Sequence, residues 1–587
     1  MVKLKKVLLF INMYTFKELL KFKLSESSVY KKLNISLLSD QSCQFLTKSI
    51  IGYGIKNLFD LSIWEAPINQ IDSQILNPKS SFNNKNFDIT IVFESSHSLL
   101  KKFNSTQNKE TFSGEQFIRF KELIEELHRS SKTKVILFNF YELNDQVFGN
   151  FSSKTKNSFI YQLRRLNFLI SEFTSTISRI SILDISSIQN KIGSKNMFDS
   201  SLYVNYGMVL SLDSNPIISK NIIDIISSYN SIFKKCIILD LDNTLWGGII
   251  GDDGIENIKL GNLGIGKSFV DFQYWIKKLK DRGIIICVCS KNNEDVSRNV
   301  FINHPDMVLS LDDISLFVSN WDSKVDNIKN IQKTLNIGFD SMVFIDDNPY
   351  ERDSIKENIP FITVPDLPKD PSNYVSFLSD ENLFETVTYS NIDKDRTKLY
   401  QTEYKRVKSR SNFTDLSDYM INLDMKSNVE LLNLFNIPRV SQLSQRSNQF
   451  NLRTIRYEED DLIQIMNSDD SYGLVFDLRD KFGDHGIISF LILKKTSLGE
   501  VFIENWAMSC RVLERGMENF VINYLQEFCE NQNIDFITSE YLESPKNSLV
   551  KNLYDKLGFK FIENKYSLNI NNLKKLDTKI KIDNGKK

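Results

Sequence analysis

Two aspartates end an apolar run in the middle of the chain. In CIILDLDNTLW, Asp240 and Asp242 are separated by one residue, and Thr244 follows. Residues i and i+2 of a strand share a face, and open α/β sheets bind ligands beyond the carboxyl ends of their strands. One carboxylate can attack phosphorus while the other transfers the proton of the leaving oxygen. Taken alone, the pattern DLDNT could equally be an acidic turn with a helix N-cap.

Two groups that could hold a phosphate follow along the chain. Ser290 ends the apolar run IIICVCS and precedes a predicted helix, NNEDVSRNVF. Its hydroxyl and the free N–H groups of the helix start can bind phosphate oxygens, although a plain helix cap would have the same sequence. Lys324, in WDSKVDNI, can bring a positive charge to the same oxygens.

A second pair of acids stands where another apolar run stops. Asp346 and Asp347 end SMVFIDD, before the turn NPYER. Asp346 would join Asp240 and the backbone carbonyl of Asp242 around a hard divalent cation. Mg²⁺ fits this oxygen donor set best, with waters completing the octahedron.

The order DxDxT, then Ser, Lys and DD resembles the haloacid dehalogenase (HAD) superfamily of phosphatases. The resemblance implies that Asp240 is the nucleophile, which forms an aspartyl-phosphate, and that Asp242 is the general acid and base. It also implies a set of phosphate-binding and metal-binding residues. Those for phosphate are Thr244, Ser290, Lys291, Lys324 and Asp347, and those for the metal are Asp240, Asp242 and Asp346.

The spacing of these motifs predicts an open site. The segment between Thr244 and Ser290 has room for a small flap, WGGIIGDDGIENIKLG, but not for a folded cap domain. Caps shield small substrates from water. A member without a cap more often receives an arm or a side chain of a macromolecule.

Several longer stretches are similar to the FkbH-like subgroup of this superfamily: CIILDLDNTLWGGIIGDDG, FIDDNPYER, QRSNQFNLRTIRY and SCRVLERGMENF. This resemblance implies an enzyme that takes a glyceryl unit from 1,3-bisphosphoglycerate, removes phosphate and leaves glycerate as a thioester on the phosphopantetheine arm of an acyl carrier protein. Such enzymes often serve polyketide or surface-glycan pathways. A stand-alone phosphatase acting on a phosphosugar or phosphoprotein, or a non-catalytic scaffold, remains open.

The elements that position these residues alternate between apolar strands and amphipathic helices, which predicts an α/β, multidomain chain with parallel sheets. A central Rossmannoid HAD core without a large cap would be flanked by a flavodoxin- or SGNH-like α/β domain and a GNAT-like α+β domain. The predicted boundaries are 1–230 (SGNH-like), 231–385 (HAD core), 386–428 (helical linker), 429–570 (GNAT-like) and 571–587 (a basic, solvated tail).

The first block resembles the SGNH-hydrolase-related domain of FkbH-like chains. Ser39, in LLSDQS, could stand at the position of the hydrolase nucleophile. A working Ser hydrolase needs a His to take the Ser proton. The block's histidines, His97 and His128, do not lie in its last segment, where the family's His is expected. We therefore interpret this block as non-hydrolytic and suited to docking.

The last block resembles the GNAT acetyltransferase fold. Arg511 and Gly516 match its pyrophosphate-binding pattern, whereas Glu514 places a negative charge at the first Gly position. The groove could still bind a phosphopantetheine arm or CoA. Tyr554 matches the place of the family's acid but is better explained by packing. Cys510, beside Arg511 and near a helix start, is the cysteine whose thiolate could be stabilised, although burial is the plainer explanation.

Composition limits the partners and the compartment. The 73 Lys and Arg residues balance 74 Asp and Glu residues, so no global field favours nucleic acid or an anionic membrane. The 6 cysteines form no CxxC pair, and no run is long enough to span a membrane. Cys236, Cys287 and Cys289 are predicted to be core residues, and His485 a turn residue. The N-terminal run VLLF has no cleavage site, so we expect a cytoplasmic protein.

Overall fold

The computed structural model describes residues 14–583 except 27, 28, 132, 144, 390–395, 411, 412, 414, 498 and 545. The N-terminal run VLLF lies outside the described residues. The chain forms two compact units, residues 1–230 with 379–388, and residues 231–378 with 389–587. Among the described helices, none is both long and apolar enough to cross a membrane.

The first unit is built on a five-stranded parallel sheet, as the sequence predicts. Its order is β2-β1-β3-β4-β5, so the chain turns to opposite sides of β1 and leaves a topological switch point between β1 and β3. The strands are β1 (Lys31–Ser39), β2 (Phe59–Glu65), β3 (Ile89–Phe93), β4 (Lys134–Phe138) and β5 (Ile180–Leu183). β2, at one edge of the sheet, is only partly buried.

Helices cover both faces of this sheet, which is why all of β3 and the last five residues of β1 are buried. The helices of this part of the chain are α1 (Phe16–Leu19), α2 (Gln44–Lys56), α3 (Ile71–Leu76), α4 (Ser96–Ser105), α5 (Phe112–Ser130), α6 (Phe159–Thr174), α7 (Ile185–Ile192), α8 (Ser194–Met197), α9 (Ser200–Tyr206) and α10 (Ser214–Tyr229).

The second unit begins with a four-stranded parallel sheet in the order β8-β7-β6-β9. Its strands are β6 (Cys236–Leu239), β7 (Ile285–Ser290), β8 (Leu316–Ser319) and β9 (Met342–Ile345). The helices that follow along this part of the chain are α11 (Ile250–Asp253), α12 (Gly264–Asp281), α13 (Glu294–Asn303), α14 (Lys324–Leu335), α15 (Pro349–Asn358) and α16 (Tyr374–Glu381). All four strands run in the same direction, so the residues that follow them meet at one edge.

The segment between β6 and β7 contains a small flap, as predicted. Gly247 and Lys259 exchange two backbone hydrogen bonds of 3.1 and 2.7 Å, which close a loop around the short helix α11. The rest of this segment is helix α12 and short turns, so the described residues 245–284 contain no folded cap domain.

The predicted linker is structured where it is described. It contains α17 (Arg396–Arg410), α18 (Leu416–Asn422) and the short strand β10 (Lys426–Ser427). Tyr400 of α17 packs into the hydrophobic core beside the four-stranded sheet. The helical part of this prediction therefore lies against the central sheet rather than in solvent.

The C-terminal part of the second unit forms a nine-stranded mixed sheet, β16-β17-β15-β14-β13-β12-β10-β18, with β11 also paired to β12. Its strands after β10 are β11 (Val429–Leu431), β12 (Ser471–Asp480), β13 (Gly483–Ser497), β14 (Glu500–Met508), β15 (Phe536–Ser539), β16 (Lys560–Ile562), β17 (Lys565–Asn569) and β18 (Lys581–Ile582). Its helices are α19 (Ile437–Arg446), α20 (Glu459–Met466), α21 (Met517–Asn531) and α22 (Leu553–Lys556).

The C-terminal segment corrects one prediction. Residues 571–583 were expected to be a solvated tail, but β18 pairs with β10, and Ile580 is buried in the core of the nine-stranded sheet. Asn523 of α21 exchanges hydrogen bonds of 2.8 Å with the backbone of Leu576. The prediction was wrong because it relied on the many lysines of this segment. The apolar residues between those lysines are spaced so that they pack against a helix and a sheet edge.

Candidate active site

Three charged side chains meet at the carboxyl edge of the four-stranded sheet. Asp240 follows β6, Asp346 follows β9, and Lys324 is the first residue of α14. Nζ of Lys324 lies 2.9 Å from Oδ1 of Asp240 and 2.6 Å from Oδ2 of Asp346. All three side chains are buried, so each charge depends on the others for compensation.

A third carboxylate completes a group that could hold a metal ion. One oxygen each of Asp240, Asp346 and Asp347 lies within 4.8 Å of the other two. The backbone N–H of Asp347 donates to Oγ1 of Thr244 over 3.2 Å, which fixes the turn after β9 against the loop after β6. Asp347, predicted to bind phosphate, thus lies in the acid cluster itself.

The donor set suits a hard divalent cation. Among the described residues, Oδ1 of Asp240 is buried and accepts no hydrogen bond, because Lys324 approaches it outside hydrogen-bonding geometry. A buried carboxylate oxygen without a hydrogen-bond donor is costly unless a cation binds it. Carboxylate oxygens are the ligands that Mg²⁺ prefers, with water filling the remaining positions.

The electrostatics of the cluster agree with this interpretation. Burial, and then the charge of Asp240, raise the pKa of Asp347 to about 6. The same two causes raise the pKa of Asp346. Burial alone would lower the pKa of Lys324, but the charges of Asp240 and Asp346 outweigh it and raise that pKa. One lysine therefore does not fully neutralise three carboxylates, and a divalent cation would relieve the repulsion.

Asp242 is oriented by the flap. Its Oδ1 accepts hydrogen bonds from Nε1 of Trp246 (2.9 Å) and from the backbone of Ile250 (3.1 Å). Its Oδ2 accepts one from Nδ2 of Asn292 (3.0 Å). The side chain of Asp242 is thus held outside the acid cluster, which leaves its backbone carbonyl as the predicted metal ligand and its carboxylate for proton transfer.

The two residues after β7 differ in their surroundings. Ser290 is buried, and its Oγ accepts a hydrogen bond of 3.1 Å from Nδ2 of Asn292, so the same amide joins it to Asp242. Lys291, predicted to bind phosphate, pairs with Glu351 at 2.7 Å with its side chain 39% exposed. Ser290 therefore belongs to the group around Asp242, whereas Lys291 lies at its margin.

Three residues of the site were not found by sequence reasoning. Asn292 stands two positions after Ser290, the same spacing as the first two acids, which could have indicated it. Arg352 donates from Nη1 to the carbonyls of Asp346 (3.0 Å) and Asp347 (2.6 Å). Tyr374 donates to the carbonyl of Asn243 over 3.2 Å. The last two are distant in sequence and have no local signal.

The residues predicted for the thioester arm lie elsewhere in the second unit. The carbonyl of Cys510 accepts a 2.8 Å hydrogen bond from Nδ2 of Asn336, which caps the C-terminus of α14. Lys324 begins that helix of 12 residues, so Cys510 is about 18 Å from the acid cluster. The structure does not bring Cys510, Arg511 or Gly516 to Asp240.

Gly516 and Arg511 flank the start of α21. Gly516 adopts φ 73° as the N-cap, and its carbonyl accepts a 3.1 Å hydrogen bond from Thr578. Arg511 donates to Oγ of Ser509 over 3.3 Å, and burial lowers its pKa. Binding of a phosphopantetheine arm by these two residues stays a prediction.

The gap between β14 and β15 is occupied by the chain itself. The two strands pair only as far as Ile503 and Ser539. Beyond that point, Leu452 donates to the carbonyl of Trp506 over 3.1 Å and accepts from Leu542 over 2.9 Å. The motif QRSNQFNLRTIRY therefore fills a cleft that could otherwise take an extended ligand.

The remaining candidates have structural surroundings. Cys236, Cys287 and Cys289 are fully buried, as predicted. Tyr554 is buried and hydrogen-bonds Ser539 at 2.5 Å, which supports packing. His485, expected in a turn, is the third residue of β13 and lies 3.1 Å from Asp480 in a buried charge cluster.

In the first unit, Ser39 is buried, and its Oγ accepts a 3.3 Å hydrogen bond from the backbone of Gln41. Nδ1 of His97 lies 2.7 Å from the hydroxyl of Tyr141, and burial lowers the pKa of His97 to about 4. Neither arrangement forms a Ser–His pair.

Known proteins match both the N-terminal domain and the chain that includes the acid cluster. A family model described as "FkbH, N-terminal domain" matches residues 34–227. The solved N-terminal part of the protein BF1531 from Bacteroides fragilis, described as containing a phosphatase domain complexed with Mg, is 46% identical. That match covers 64% of this chain and 100% of that one, with a TM-score of 0.61.

Acetyltransferase structures also match. The GNAT domain of S. lividans PAT is 13% identical over 24% of this chain and 89% of its own, with a TM-score of 0.19. Spermidine N-acetyltransferase from Vibrio cholerae, described in complex with CoA and spermine, is 14% identical over 25% of this chain and 96% of its own, with a TM-score of 0.20. No curated protein gave a significant match.

Proposed function

The chain belongs to the FkbH-like family of the haloacid dehalogenase superfamily, and on that premise we propose that it is a Mg²⁺-dependent phosphatase that also loads a glyceryl group onto an acyl carrier protein. The single observation that carries the phosphatase part is the convergence of Asp240, Asp346 and Asp347 around Lys324 at one sheet edge. The similar BF1531 structure contains a phosphatase domain with Mg, which supports the same assignment.

The metal would be held by the carboxylates of Asp240, Asp346 and Asp347 and by the backbone carbonyl of Asp242. When bound, Mg²⁺ supplies positive charge that stabilises the charge developing on the phosphoryl oxygens. The described chain contributes one cation at the same place, Lys324, which keeps the carboxylates oriented and attracts the phosphate group.

Asp240 acts as the nucleophile. An oxygen of its carboxylate forms a bond to phosphorus while the bond between phosphorus and the glyceryl oxygen breaks. Asp242, oriented by Trp246 and Asn292, gives its proton to the leaving oxygen. It then takes a proton from a water molecule that attacks the aspartyl-phosphate, and this step releases phosphate and restores Asp240.

Two hydroxyl groups are placed to bind the phosphate. Thr244, in the loop after β6, and Ser290, at the end of β7, are buried hydroxyl residues next to the acids, where a phosphate oxygen would lie. The described residues 245–284 contain a small flap and helix α12 but no folded cap domain. The lack of a cap in this segment is the feature that favours a carrier protein over a free small substrate.

The thioester part of the function would use a separate place. Cys510, the cysteine that is not fully buried, lies at the far end of α14 from Asp240. An acyl group could not pass directly between two positions about 18 Å apart. The thiol of the phosphopantetheine arm, or first that of Cys510, would attack the C1 carbonyl of the glyceryl unit, forming the carbon–sulfur bond while the C1 phosphate leaves. The flexible arm of the carrier protein would then bridge the distance to Asp240, where the remaining phosphate ester is cleaved.

The test is a loading reaction followed by intact-protein mass spectrometry. The full chain is mixed with 1,3-bisphosphoglycerate, Mg²⁺ and an acyl carrier protein that bears its phosphopantetheine arm. The expected product is a carrier protein with the mass of one glyceryl group in thioester linkage. A carrier protein that keeps its mass while Asp240 still forms phosphoenzyme would reject glyceryl loading and leave the phosphatase alone.

Matched variants separate the two steps. Asp240→Asn should leave the glyceryl group phosphorylated, since an amide does not attack phosphorus. Cys510→Ser should abolish loading only if the acyl group passes through this thiol. Phosphate release that is independent of any carrier protein, with no adduct formed, would favour the stand-alone phosphatase.

A further inference from the structure

Two cations are anchored at the amino edge of the four-stranded sheet, the edge opposite Asp240. Lys235 directly precedes β6, and its carbonyl accepts a 2.9 Å hydrogen bond from the backbone of Ile285 at the start of β7. Arg396, the first residue of α17, donates to the carbonyl of Gly283 just before β7 over 3.4 Å. Lys235 and Arg396 are therefore held at neighbouring strand ends.

A third cation comes from the end of α19. Nζ of Lys235 donates to the carbonyl of Arg446 over 3.1 Å. The ammonium and the guanidinium of these two residues both lie over the ring of Phe233, at 5.5 and 5.9 Å from its centre. Lys235 thus contacts a neutral carbonyl and the face of a ring, which orient its ammonium group without an opposite charge. Lys235, Arg396 and Arg446 are called the basic cluster below.

The charges of the basic cluster repel one another. Burial, together with the charges of Arg396 and Arg446, lowers the pKa of Lys235 to about 8. An ammonium group loses its proton more readily among like charges, and an anion bound there would relieve the repulsion. The cluster is therefore suited to a negatively charged ligand.

An acid near Lys235, Asp340, is already paired. Its carboxylate lies 2.5 Å from Nζ of Lys546, and its backbone carbonyl accepts a 2.7 Å hydrogen bond from Nζ of Lys234. Burial would raise the pKa of Asp340, but the charges of the three lysines outweigh it and lower that pKa. The basic cluster thus keeps positive charge that an anion from outside the chain can compensate.

Cys510 lies beside the basic cluster. After burial, its thiol is the largest influence on the pKa of Lys235 and on that of Tyr400, which packs beside the same sheet. Cys510 is partly exposed, whereas the other five cysteines are buried. An anion bound at the basic cluster would therefore lie next to a thiol that a ligand can reach.

The chemistry of this neighbourhood favours a phosphate group. Its two negative charges match a site with more than one cation, and guanidinium groups bind phosphate oxygens through pairs of N–H donors. A thiol is a nucleophile toward carbonyl carbon. A compound that presents a phosphate to the basic cluster and a carbonyl to Cys510 is an acyl phosphate.

We propose that the basic cluster binds the phosphate group of an acyl phosphate whose carbonyl carbon faces Cys510. This inference rests on the proposed function for the substrate being an acyl phosphate, and it adds a second phosphate site at the sheet edge opposite Asp240. When the thiol attacks, the carbon–sulfur bond forms and the bond between the carbonyl carbon and the phosphate oxygen breaks. The thiol proton passes to the departing phosphate, whose charge the basic cluster stabilises.

The test measures how well an inert acyl-phosphate mimic protects Cys510. The probe is 2-oxopropylphosphonate, in which a methylene group replaces the bridging oxygen of acetyl phosphate, so no acyl group can be transferred. The full chain is treated with iodoacetamide in EDTA at increasing probe concentrations, and peptide mass spectrometry follows the modification of Cys510. We expect saturable protection by the probe and none by acetone, which lacks the phosphonate.

Two variants test the contacts. Lys235→Met removes the ammonium at similar size and should weaken protection by the probe about ten- to a hundredfold, as expected for the loss of a charged hydrogen bond. Arg396→Gln keeps a donor for the carbonyl of Gly283 and should also weaken protection. Lys278→Met, at an exposed position of α12, is the matched control and should leave protection unchanged.

The outcomes are distinct. Circular dichroism first establishes that each variant is folded. Absence of saturable protection, or undiminished protection in Lys235→Met, would overturn the proposal, and Arg396→Gln decides if Lys235→Met is unfolded. Phosphopantothenate, a part of the carrier arm that has a phosphate but no thiol, is titrated as a rival. Tighter protection by phosphopantothenate would assign the basic cluster to the carrier arm and overturn its assignment to the substrate.

The loading reaction is measured in parallel, which separates this proposal from the proposed function. Protection of Cys510 by the probe without a loaded carrier protein would support the phosphate site and reject glyceryl loading. A loaded carrier protein with unprotected Cys510 would retain glyceryl loading and overturn the phosphate site. Phosphoenzyme formation at Asp240 should be the same in Lys235→Met as in the unchanged protein.

Discussion

The ammonium group of Lys324 lies 2.6 Å from Oδ2 of Asp346, and both side chains are buried. Lys324 begins α14 and Asp346 follows β9, so the pair joins the loops after two strands of the same sheet. A buried ion pair of this kind stabilises the fold only while both partners remain, because either charge alone would be uncompensated. The stability of the fold should therefore depend on the cations at this site, which are Lys324 and a bound metal ion.

Replacing this lysine tests that link. Lys324→Met should lower the free energy of unfolding by about 3 kcal/mol in EDTA, because the buried carboxylates of Asp240 and Asp346 lose the ammonium group that contacts both of them. Excess Mg²⁺ should restore part of the loss, since the metal can compensate the same charges. Urea unfolding with and without Mg²⁺ measures both effects.

The control for this variant is Lys291→Met. Lys291 pairs with Glu351 near the surface, and such pairs contribute at most about 1 kcal/mol. An equal loss of stability in both variants, or a loss in Lys324→Met that Mg²⁺ does not change, would contradict a shared cation site.

Replacing Asp240 and replacing Asp242 should block different steps of the reaction. Asp240→Asn should give no phosphoenzyme when the protein is mixed with acetyl phosphate and Mg²⁺. Asp242→Asn should still form it, but should hydrolyse it about 100-fold more slowly, because the water loses its general base. Intact mass spectrometry over time measures the adduct. A phosphate adduct on Asp240→Asn would place the nucleophile elsewhere.

Much of this site could be predicted from the sequence because its residues follow strands. An apolar run that stops at an acid is visible in one chain, and the parallel topology then brings the strand ends together. Arg352 and Tyr374 were not predictable, because they reach backbone carbonyls of the site from helices that carry no comparable local pattern.

The fold, like the site, has parts that local sequence predicts and parts that it does not. Strands β1, β3, β4 and β5 contain short apolar runs of the kind that predict a strand, whereas β2 at the sheet edge is only partly buried and mixes polar with apolar residues. The basic C-terminal segment was misjudged because its burial depends on β10 and α21, which are distant along the chain. Tertiary contacts, rather than local composition, determine whether such segments are buried or exposed.

The raised pKa of Asp347, about 6 against 3.8 for an ordinary aspartate, gives a prediction on pH. Without metal, Asp347 keeps a proton in the folded protein that it loses in the unfolded chain between these two values, so its contribution to the free energy of unfolding should fall as pH rises through that window. Asp346 contributes in the same direction. Urea unfolding of the protein and of Asp347→Asn in EDTA, at a series of pH values, should show this slope in the difference between the two.

Metal binding should follow the opposite trend. Mg²⁺ binds the deprotonated carboxylates, so its affinity, measured by calorimetry, should decrease as pH falls below about 6. Asp347→Asn should remove this contribution to the pH dependence of stability in EDTA and weaken Mg²⁺ binding, whereas Asp353→Asn, at an exposed position of α15, should change neither. An unchanged slope in Asp347→Asn would show that this carboxylate does not titrate in the window.

The C-terminal segment offers the sharpest test of the fold, because two isoleucines two positions apart differ in burial. Ile580 is 5% exposed and belongs to the core of the nine-stranded sheet, whereas Ile582 of β18 is 43% exposed. Ile580→Ala should lower the free energy of unfolding by about 2–4 kcal/mol, since it removes buried apolar volume. Ile582→Ala should cost less than about 1 kcal/mol, because a large part of this side chain already contacts water. Equal small losses in urea unfolding would mean that the segment is a solvated tail, and that its pairing with β10 contributes nothing to stability.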